Sequence, residues 1–100
     1  MHKFEITNAE GGAALPVQLR LEADENKITG KSRDIVFVDL KVGQDADLIE
    51  QNLAALLSEK LRIGLGKIAI ASGKSFEKKV VIIMGLTPQD IEKRLFEDLT

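Results

Sequence analysis

The sequence predicts a two-layer α+β domain, in which two helices pack on one face of a mixed β-sheet. Apolar residues alternate with polar ones in several short segments, as in half-buried strands, and recur at helical spacing in two longer segments. Each such element has one apolar side that must pack against another element, which gives two layers. The predicted order of elements is β-β-β-α-β-β-α. With 100 residues, the chain is expected to form a single domain over residues 1–100.

Three strands are predicted in the first half of the chain, over residues 1–9, 17–23 and 35–42. The first two alternate apolar with polar side chains, the pattern of a strand with one face in water. The glycine pair within residues 10–13 is a turn signal between the first two strands. The polar stretch 24–33 is predicted to be a loop. Four residues of the third strand are expected to face the core: Val36, Val38, Leu40 and Val42.

The first helix is predicted to follow the third strand. Asp47, with Glu50 three residues later, is expected to cap its free amides. Gly64 and Gly66 are expected to end the helix. Its apolar stripe, at helical spacing, consists of Ile49, Leu53, Leu56, Leu57 and Leu61.

Two strands and a last helix complete the prediction. The strands are expected over residues 67–72 and 79–84. Thr87 before Pro88, with Asp90 as the third helical residue, is a helix start signal with a cap and a proline in the first turn. The buried stripe of this helix is predicted to be Ile91, Leu95 and Leu99.

Composition excludes several classes of protein. Hydrophobic residues make up 44% and charged residues 30%, as in globular and not in disordered chains. The longest apolar run, residues 80–84, is far too short for a membrane span, and no signal peptide is seen. The absence of cysteine excludes disulfides. We therefore expect a soluble cytoplasmic protein that does not bind membranes.

The sequence lacks the residues that most catalytic and cofactor-binding sites require. The only histidine is His2, so no Ser-His-Asp triad or histidine-rich metal site can form. Asp45 and Asp47 lie close together, but carboxylates at a helix start have a local reason to be there. The run from Gly73 to Ser75 resembles part of a phosphate-binding loop, but Ile68 stands where that motif needs glycine. We predict no catalytic residue, no metal site and no cofactor.

The segment that joins the last two strands is the candidate binding surface. Its basic residues can bind the phosphates of a nucleic acid, although Glu77 lies among them. Alternatively, these lysines only keep an exposed hairpin soluble. Phe76 either anchors a protein partner at the hairpin tip or folds back over the core. The candidate surface consists of Ser72, Gly73, Lys74, Phe76, Lys78 and Lys79.

Residues 17–86 resemble the YggU-like family of small proteins, in the form of a divergent member. Ala23, Ile28 and Gly30 match the family's opening strand and the loop after it. The most specific match, over residues 72–86, is a Ser-Gly turn, a few polar residues, a lysine and a strand that ends in Gly-Leu. The resemblance implies a mixed sheet with two helices on one face, and it brings no established activity.

The hydrophobic positions that build the family's fold match, while most of the polar positions that could form a site do not. Leu21 replaces a proline, Asp24 and Glu25 a basic pair, Gly43-Gln44 a proline loop, Glu50 an asparagine and Glu77 an arginine. If the family's common surface binds an anion, this chain reverses several of the charges there.

Three functions are compatible with these observations. A non-enzymatic interaction or accessory module with a protein partner is favoured, because the core pattern is intact and catalytic groups are lacking. An RNA- or DNA-binding accessory protein would use Lys74, Lys78 and Lys79, and its affinity would fall steeply with salt. An enzyme of another type would use Ser72, Glu77 and Lys79, and would need a concave pocket lined by them.

Overall fold

A computed structural model describes residues 7–9, 12–33, 35–71 and 75–97 of the chain. Its elements, in chain order, are the strands β1 (Thr7–Ala9), β2 (Gly12–Arg20), β3 (Lys27–Ser32) and β4 (Ile35–Asp39), the helix α1 (Ala46–Leu61), the strands β5 (Ile68–Ala71) and β6 (Lys78–Met84), and the helix α2 (Pro88–Phe96). A single 3₁₀ turn, Leu65–Lys67, leads into β5.

The strands form one mixed sheet in the order β3-β4-β2-β6-β5, and β1 pairs with the first residues of β2. β2 and β4 run parallel, with Leu19 opposite Val38, and every other described pair is antiparallel. β2 and β6, at the centre, share the longest pairing, from Gly12 opposite Met84 to Gln18 opposite Lys78. Both helices pack on one face, which confirms the predicted two-layer α+β class.

The core lies between that face of the sheet and the helices. Strand residues alternate between buried and partly exposed, so one face of each central strand supplies the core. α1 contributes the five residues of its predicted stripe, all buried. The strand residues of the core are Ala13, Leu15, Val17, Leu19, Ile28, Val36, Val38, Val81 and Ile83. Of the third predicted strand, Val36, Val38 and Leu40 are buried, and Val42 packs against the core from a partly buried position.

The prediction of a loop over residues 24–33 is wrong, because this stretch contains the edge strand β3. β3 pairs with β4 and shifts register between Ile28 and Gly30. Ile28 is its only buried residue. An edge strand with a single core contact has no apolar alternation to reveal it, and its pairing depends on a partner later in the chain.

β2 also differs from the prediction, since it begins at Gly12 and ends at Arg20. A Cβ at Gly12 would lie 2.7 Å from Sδ of Met84 and 2.9 Å from the carbonyl oxygen of Ile83. This glycine therefore allows β6 to approach closely. The predicted turn at 10–13 has its second half inside β2, and residues 10–11 lie outside the described residues, as do residues 1–6 of the first predicted strand.

The cap of α1 is Asp45 and not Asp47. The Asp45 carboxylate accepts a hydrogen bond from the Leu48 amide at 3.1 Å, while Asp47 lies in the first turn. The helix ends at Leu61, before either predicted glycine, because Arg62 takes the left-handed conformation with φ of 59°. Nη1 of Arg94, on α2, donates a hydrogen bond to the Leu61 carbonyl oxygen at 2.6 Å, so α2 satisfies a free carbonyl at the end of α1.

α2 begins as predicted. The Thr87 hydroxyl accepts from the Asp90 amide at 3.1 Å, the Thr87 amide donates to the Asp90 carboxylate at 3.4 Å, and Pro88 opens the helix. Ile91 and Leu95 are buried, and the third residue of the predicted stripe, Leu99, lies outside the described residues.

A substitution in α1 tests whether the helix packs by this stripe. Leu53 is 0% exposed, so Leu53→Ala leaves a cavity and is expected to lower the free energy of unfolding by about 2–5 kcal/mol. Leu48→Ala, at a residue 44% exposed on the same helix, is expected to change it by less than about 0.5 kcal/mol. Urea unfolding followed by circular dichroism measures both, and equal losses would contradict this packing.

Candidate functional site

The face of the sheet opposite the helices is covered by neither α1 nor α2. Its residues alternate along the strands with those of the core, and most of them are partly or fully exposed across β2, β4 and β6. Val80, in the central strand β6, is 41% exposed. We call this surface the open face, and its apolar residues are Ala14, Pro16, Ile35, Phe37, Val80, Ile82 and Met84. An apolar sheet face in water is the main unpartnered surface of the described part of the chain.

A cleft of about 820 Å³ lies at one end of the open face. Four strands and the segment before β6 contribute to it, and its lining is mainly apolar. Its volume falls in the range of pockets that bind small molecules or partner side chains. The lining residues are Pro16, Val17, Gln18, Ile35, Ala71, Ser75, Glu77, Lys78, Lys79 and Val80.

The cleft overlaps the surface expected from sequence, but the two described lysines of that surface separate. Lys78 and Lys79 are consecutive in β6, so their side chains point to opposite faces of the sheet. Lys78 is exposed beside the cleft. Lys79, opposite the core residue Val17, is only 6% exposed. The nucleic-acid hypothesis requires the two lysines to form one basic surface, and they do not.

The other residues of the binding surface expected from the sequence do not line the cleft or lie outside the described residues. Phe76 is 37% exposed in the segment between β5 and β6, and does not line the cleft. Phe76 lies in sequence between Ser75 and Glu77, which both line the cleft, and part of its ring is exposed to water. Ser72, Gly73 and Lys74 lie outside the described residues.

Polar contacts around the cleft hold the backbone in place. The Ser75 hydroxyl accepts a hydrogen bond from the Lys78 amide at 3.1 Å, and the Glu77 carbonyl oxygen accepts one from the Leu19 amide at 2.7 Å. These bonds fix the segment that enters β6 against β2. No described side chain of the cleft forms a hydrogen-bonded pair of a nucleophile and a base. Over the described residues, no three acidic or histidine side chains cluster as metal ligands.

An arginine–aspartate pair lies on the open face between β2 and β4. Arg20 and Asp39 are opposite each other in the parallel pairing of β2 with β4. Nε of Arg20 donates to Oδ1 of Asp39 at 3.1 Å and Nη2 donates to Oδ2 at 2.8 Å. This two-pronged geometry is the strong form of the contact. The Asp39 side chain is 7% exposed and that of Arg20 is 74% exposed, so the guanidinium covers the carboxylate.

The Arg20 hydrogen bonds hold the pKa of Asp39 below its ordinary value of 3.8, and the charges of Arg20 and Lys27 act in the same direction. Burial of the carboxyl opposes them. The pKa of Arg20 is raised in turn, mainly by the same hydrogen bond. Asp39 therefore remains ionised, and its charge is balanced within the open face.

The pair was not expected from the sequence. Arg20 and Asp39 are each a charged residue on the wet side of an alternating strand, a common surface pattern. Their meeting depends on the parallel register of β2 and β4, which joins residues 19 positions apart. The alternation of the sequence predicts on which face of the sheet each side chain lies. Only the order and register of the strands determine that Arg20 and Asp39 are partners.

No protein-family model matches the chain, and no curated protein matches it either. The resemblance to the YggU-like family therefore stays a prediction. Within residues 7–9, 12–33, 35–71 and 75–97, no helix has the length and apolar character to cross a membrane.

The arginine–aspartate pair predicts a pH dependence of stability. Because the folded-state pKa of Asp39 is lowered, its ionised form stabilises the fold above the ordinary carboxyl value of 3.8, and this contribution is lost as the pH falls through the lowered pKa. Asp39→Asn is thus expected to be less stable than the wild type at pH 7, and the difference is expected to shrink as the pH is lowered below 3.8.

Urea unfolding at a series of pH values measures this difference. Glu59→Gln, at an exposed residue of α1, is the control and is expected to unfold like the wild type throughout. A stability difference for Asp39→Asn that is the same at all pH values would contradict the assignment.

Proposed function

We propose that this protein is a non-enzymatic interaction module that binds a protein partner on its open face. The observation that carries this proposal is the apolar sheet face left uncovered by both helices, with a cleft at one end. Interfaces of this kind have an apolar centre and a polar rim. Here Phe37, Val80 and Ile82 supply apolar side chains, while Arg20 and Lys78 supply polar groups beside them.

The charges favour a partner with acidic groups around an apolar surface, such as an amphipathic helix with Asp or Glu beside its stripe. Lys78 is exposed at the cleft and makes no ion pair with a described residue. The guanidinium of Arg20 is bound to Asp39 by one edge and is otherwise exposed. Asp39 itself is covered, so it presents little negative charge to a partner.

Phe76 is proposed as an anchor of the same interface. An aromatic ring that is partly in water, and whose sequence neighbours Ser75 and Glu77 line a cleft, can gain contact area when a partner covers it. We expect truncation by Phe76→Ala to weaken capture of the partner.

The two other functions have less support. A nucleic-acid site would need Lys74, Lys78 and Lys79 on one surface, but Lys79 is buried on the helix side of the sheet. An enzyme would need a concave pocket lined by Ser72, Glu77 and Lys79. The cleft is lined by Glu77 and Lys79, which favours this option, but no hydrogen bond joins these two residues as a reactive pair. We further propose membership of the YggU-like family, and, because the chain has no cysteine, the cytoplasm as its compartment.

The proposal is tested by affinity capture of partners from the native lysate, with two charge substitutions at similarly exposed apolar residues. Val80→Glu, at 41% exposure on the open face, places a carboxylate in the interface. Leu48→Glu, at 44% exposure on α1, is the matched control. We expect Val80→Glu to reduce the captured partner at least about tenfold, the equivalent of about 1.4 kcal/mol, and Leu48→Glu to retain it.

Captured proteins are quantified by mass spectrometry after nuclease treatment, and thermal unfolding checks that each variant is folded. Equal capture by the two variants would exclude the open face as the binding surface. Capture that disappears with nuclease would favour nucleic acid as the partner.

A further inference from the structure

The outer edge of β5 is unpaired in the described part of the chain. Among the described strands, β5 lies at one end of the sheet and pairs only with β6, so its backbone N–H and C=O groups that point away from β6 have no described strand as a partner. The strand is Ile-Ala-Ile-Ala, from Ile68 to Ala71, without charge, proline or bulge. Proteins usually protect a sheet edge by one of those means.

The opposite edge of the sheet shows the contrast. β3 carries Lys27 and Lys31, contains Gly30, and shifts register between Ile28 and Gly30. These features discourage pairing with another chain. The two edges of one sheet therefore differ: β5 is only four residues long, but its edge carries none of the charged, glycine or bulge features of β3.

A groove of about 390 Å³ runs beside the edge of β5. Ile68 and Ile70 form one wall, and Glu50, Gln51 and Ala54 of α1 form the other. Leu65, in the turn before β5, also lines the groove and is 59% exposed. A free strand edge next to a mainly apolar groove is the arrangement in which an extended peptide gains both backbone bonds and pockets for alternate side chains.

We propose that this groove binds an extended segment of a partner protein, which joins the sheet as a strand beside β5. The free backbone groups of β5 bond to the segment, and every second side chain of the segment enters the groove because strand side chains alternate. The groove wall of β5 and Leu65 is aliphatic, so these side chains are apolar, of the size of Val, Ile or Leu. This site is distinct from the open face and does not depend on the function proposed for it.

The charge of the groove adds a further requirement. Glu50 lines it, and Asp47 lies one turn earlier on α1. The nearest basic residue in sequence, Lys67, precedes β5 and does not line the groove. A segment with a Lys or Arg beside its apolar residues is therefore favoured. A second copy of this chain is disfavoured, because pairing of two β5 edges would bring two Glu50-bearing walls together without a basic lining residue.

Selection of peptides tests the proposal on the full-length protein. A phage library of random twelve-residue peptides is panned against the immobilised wild type, without counter-selection on any groove variant. We expect enriched peptides to have apolar residues at alternate positions and a Lys or Arg. If no such pattern is enriched, the proposal is wrong.

Three substitutions on α1 then test the binding of the enriched peptides, which are used as synthetic fluorescent probes. In one of them, Ala54→Arg, the long side chain fills the groove. Ala54→Arg is expected to weaken binding at least about tenfold, the equivalent of about 1.4 kcal/mol. Ala55→Arg, one residue further on the exposed side of the helix, is expected to bind as the wild type does. Glu50→Lys is expected to weaken the peptides that carry Lys or Arg. Equal affinity for all three variants would overturn the proposal.

Leu65→Asp, at a side chain already largely in water, repeats the test should Ala54→Arg fail to fold. Amide hydrogen exchange distinguishes strand addition from mere contact with the groove. The bound peptide is expected to slow exchange at alternate residues of β5. Unchanged β5 exchange on peptide binding would exclude strand addition. Protection of β5 that rises with protein concentration, in the absence of peptide, would replace the peptide by a second copy.

Discussion

The central strands β2 and β6 bury only one of their two faces, because both described helices pack on the same side of the sheet. The long antiparallel pairing of these strands aligns their core residues, so Leu15 and Val81 meet under the helices. α1 supplies most of the cover, and Arg94 of α2 binds the end of α1. The same alternation necessarily places the other side chains of β2 and β6 on the side away from the helices.

That constraint explains the open face, and the strand order, with β5 at one end of the sheet, explains a second unpartnered surface. No third layer of described residues covers the open face. Apolar residues on it, such as Val80 and Ile82, are therefore partly exposed to water. Its one covered charge, Asp39, is tolerated because Arg20 neutralises it with two hydrogen bonds. The edge of β5 has no further strand beside it in the part of the chain that the structure describes. A ligand of the open face would bind by side-chain packing, whereas a ligand of the β5 edge would bind by backbone hydrogen bonds. The two surfaces therefore suit different ligands.

The sequence predicted those parts of the fold in which local pattern and burial agree. The stripe of α1 and the start of α2 at Thr87 follow from residues that are close in sequence. The edge strand β3 could not be predicted, because Ile28 is its only core contact. The cap at Asp45 could not be told from Asp47, since both carboxylates suit a helix start and only backbone geometry separates them. The open face and the Arg20–Asp39 contact depend on strand order, which no local pattern contains.

Exposure of side chains along β6 to a soluble paramagnetic probe tests directly whether the open face is uncovered. A nitroxide in solution broadens the methyl signals that it can reach, and β6 offers neighbouring residues on opposite faces. The methyl signals of Val80 and Ile82 are expected to lose intensity, while those of Val81 and Ile83, both 0% exposed, are expected to keep it. If Val80 and Ile82 were as well protected as Val81 and Ile83, another part of the chain or a second copy would cover this face, and the open face would not exist in solution.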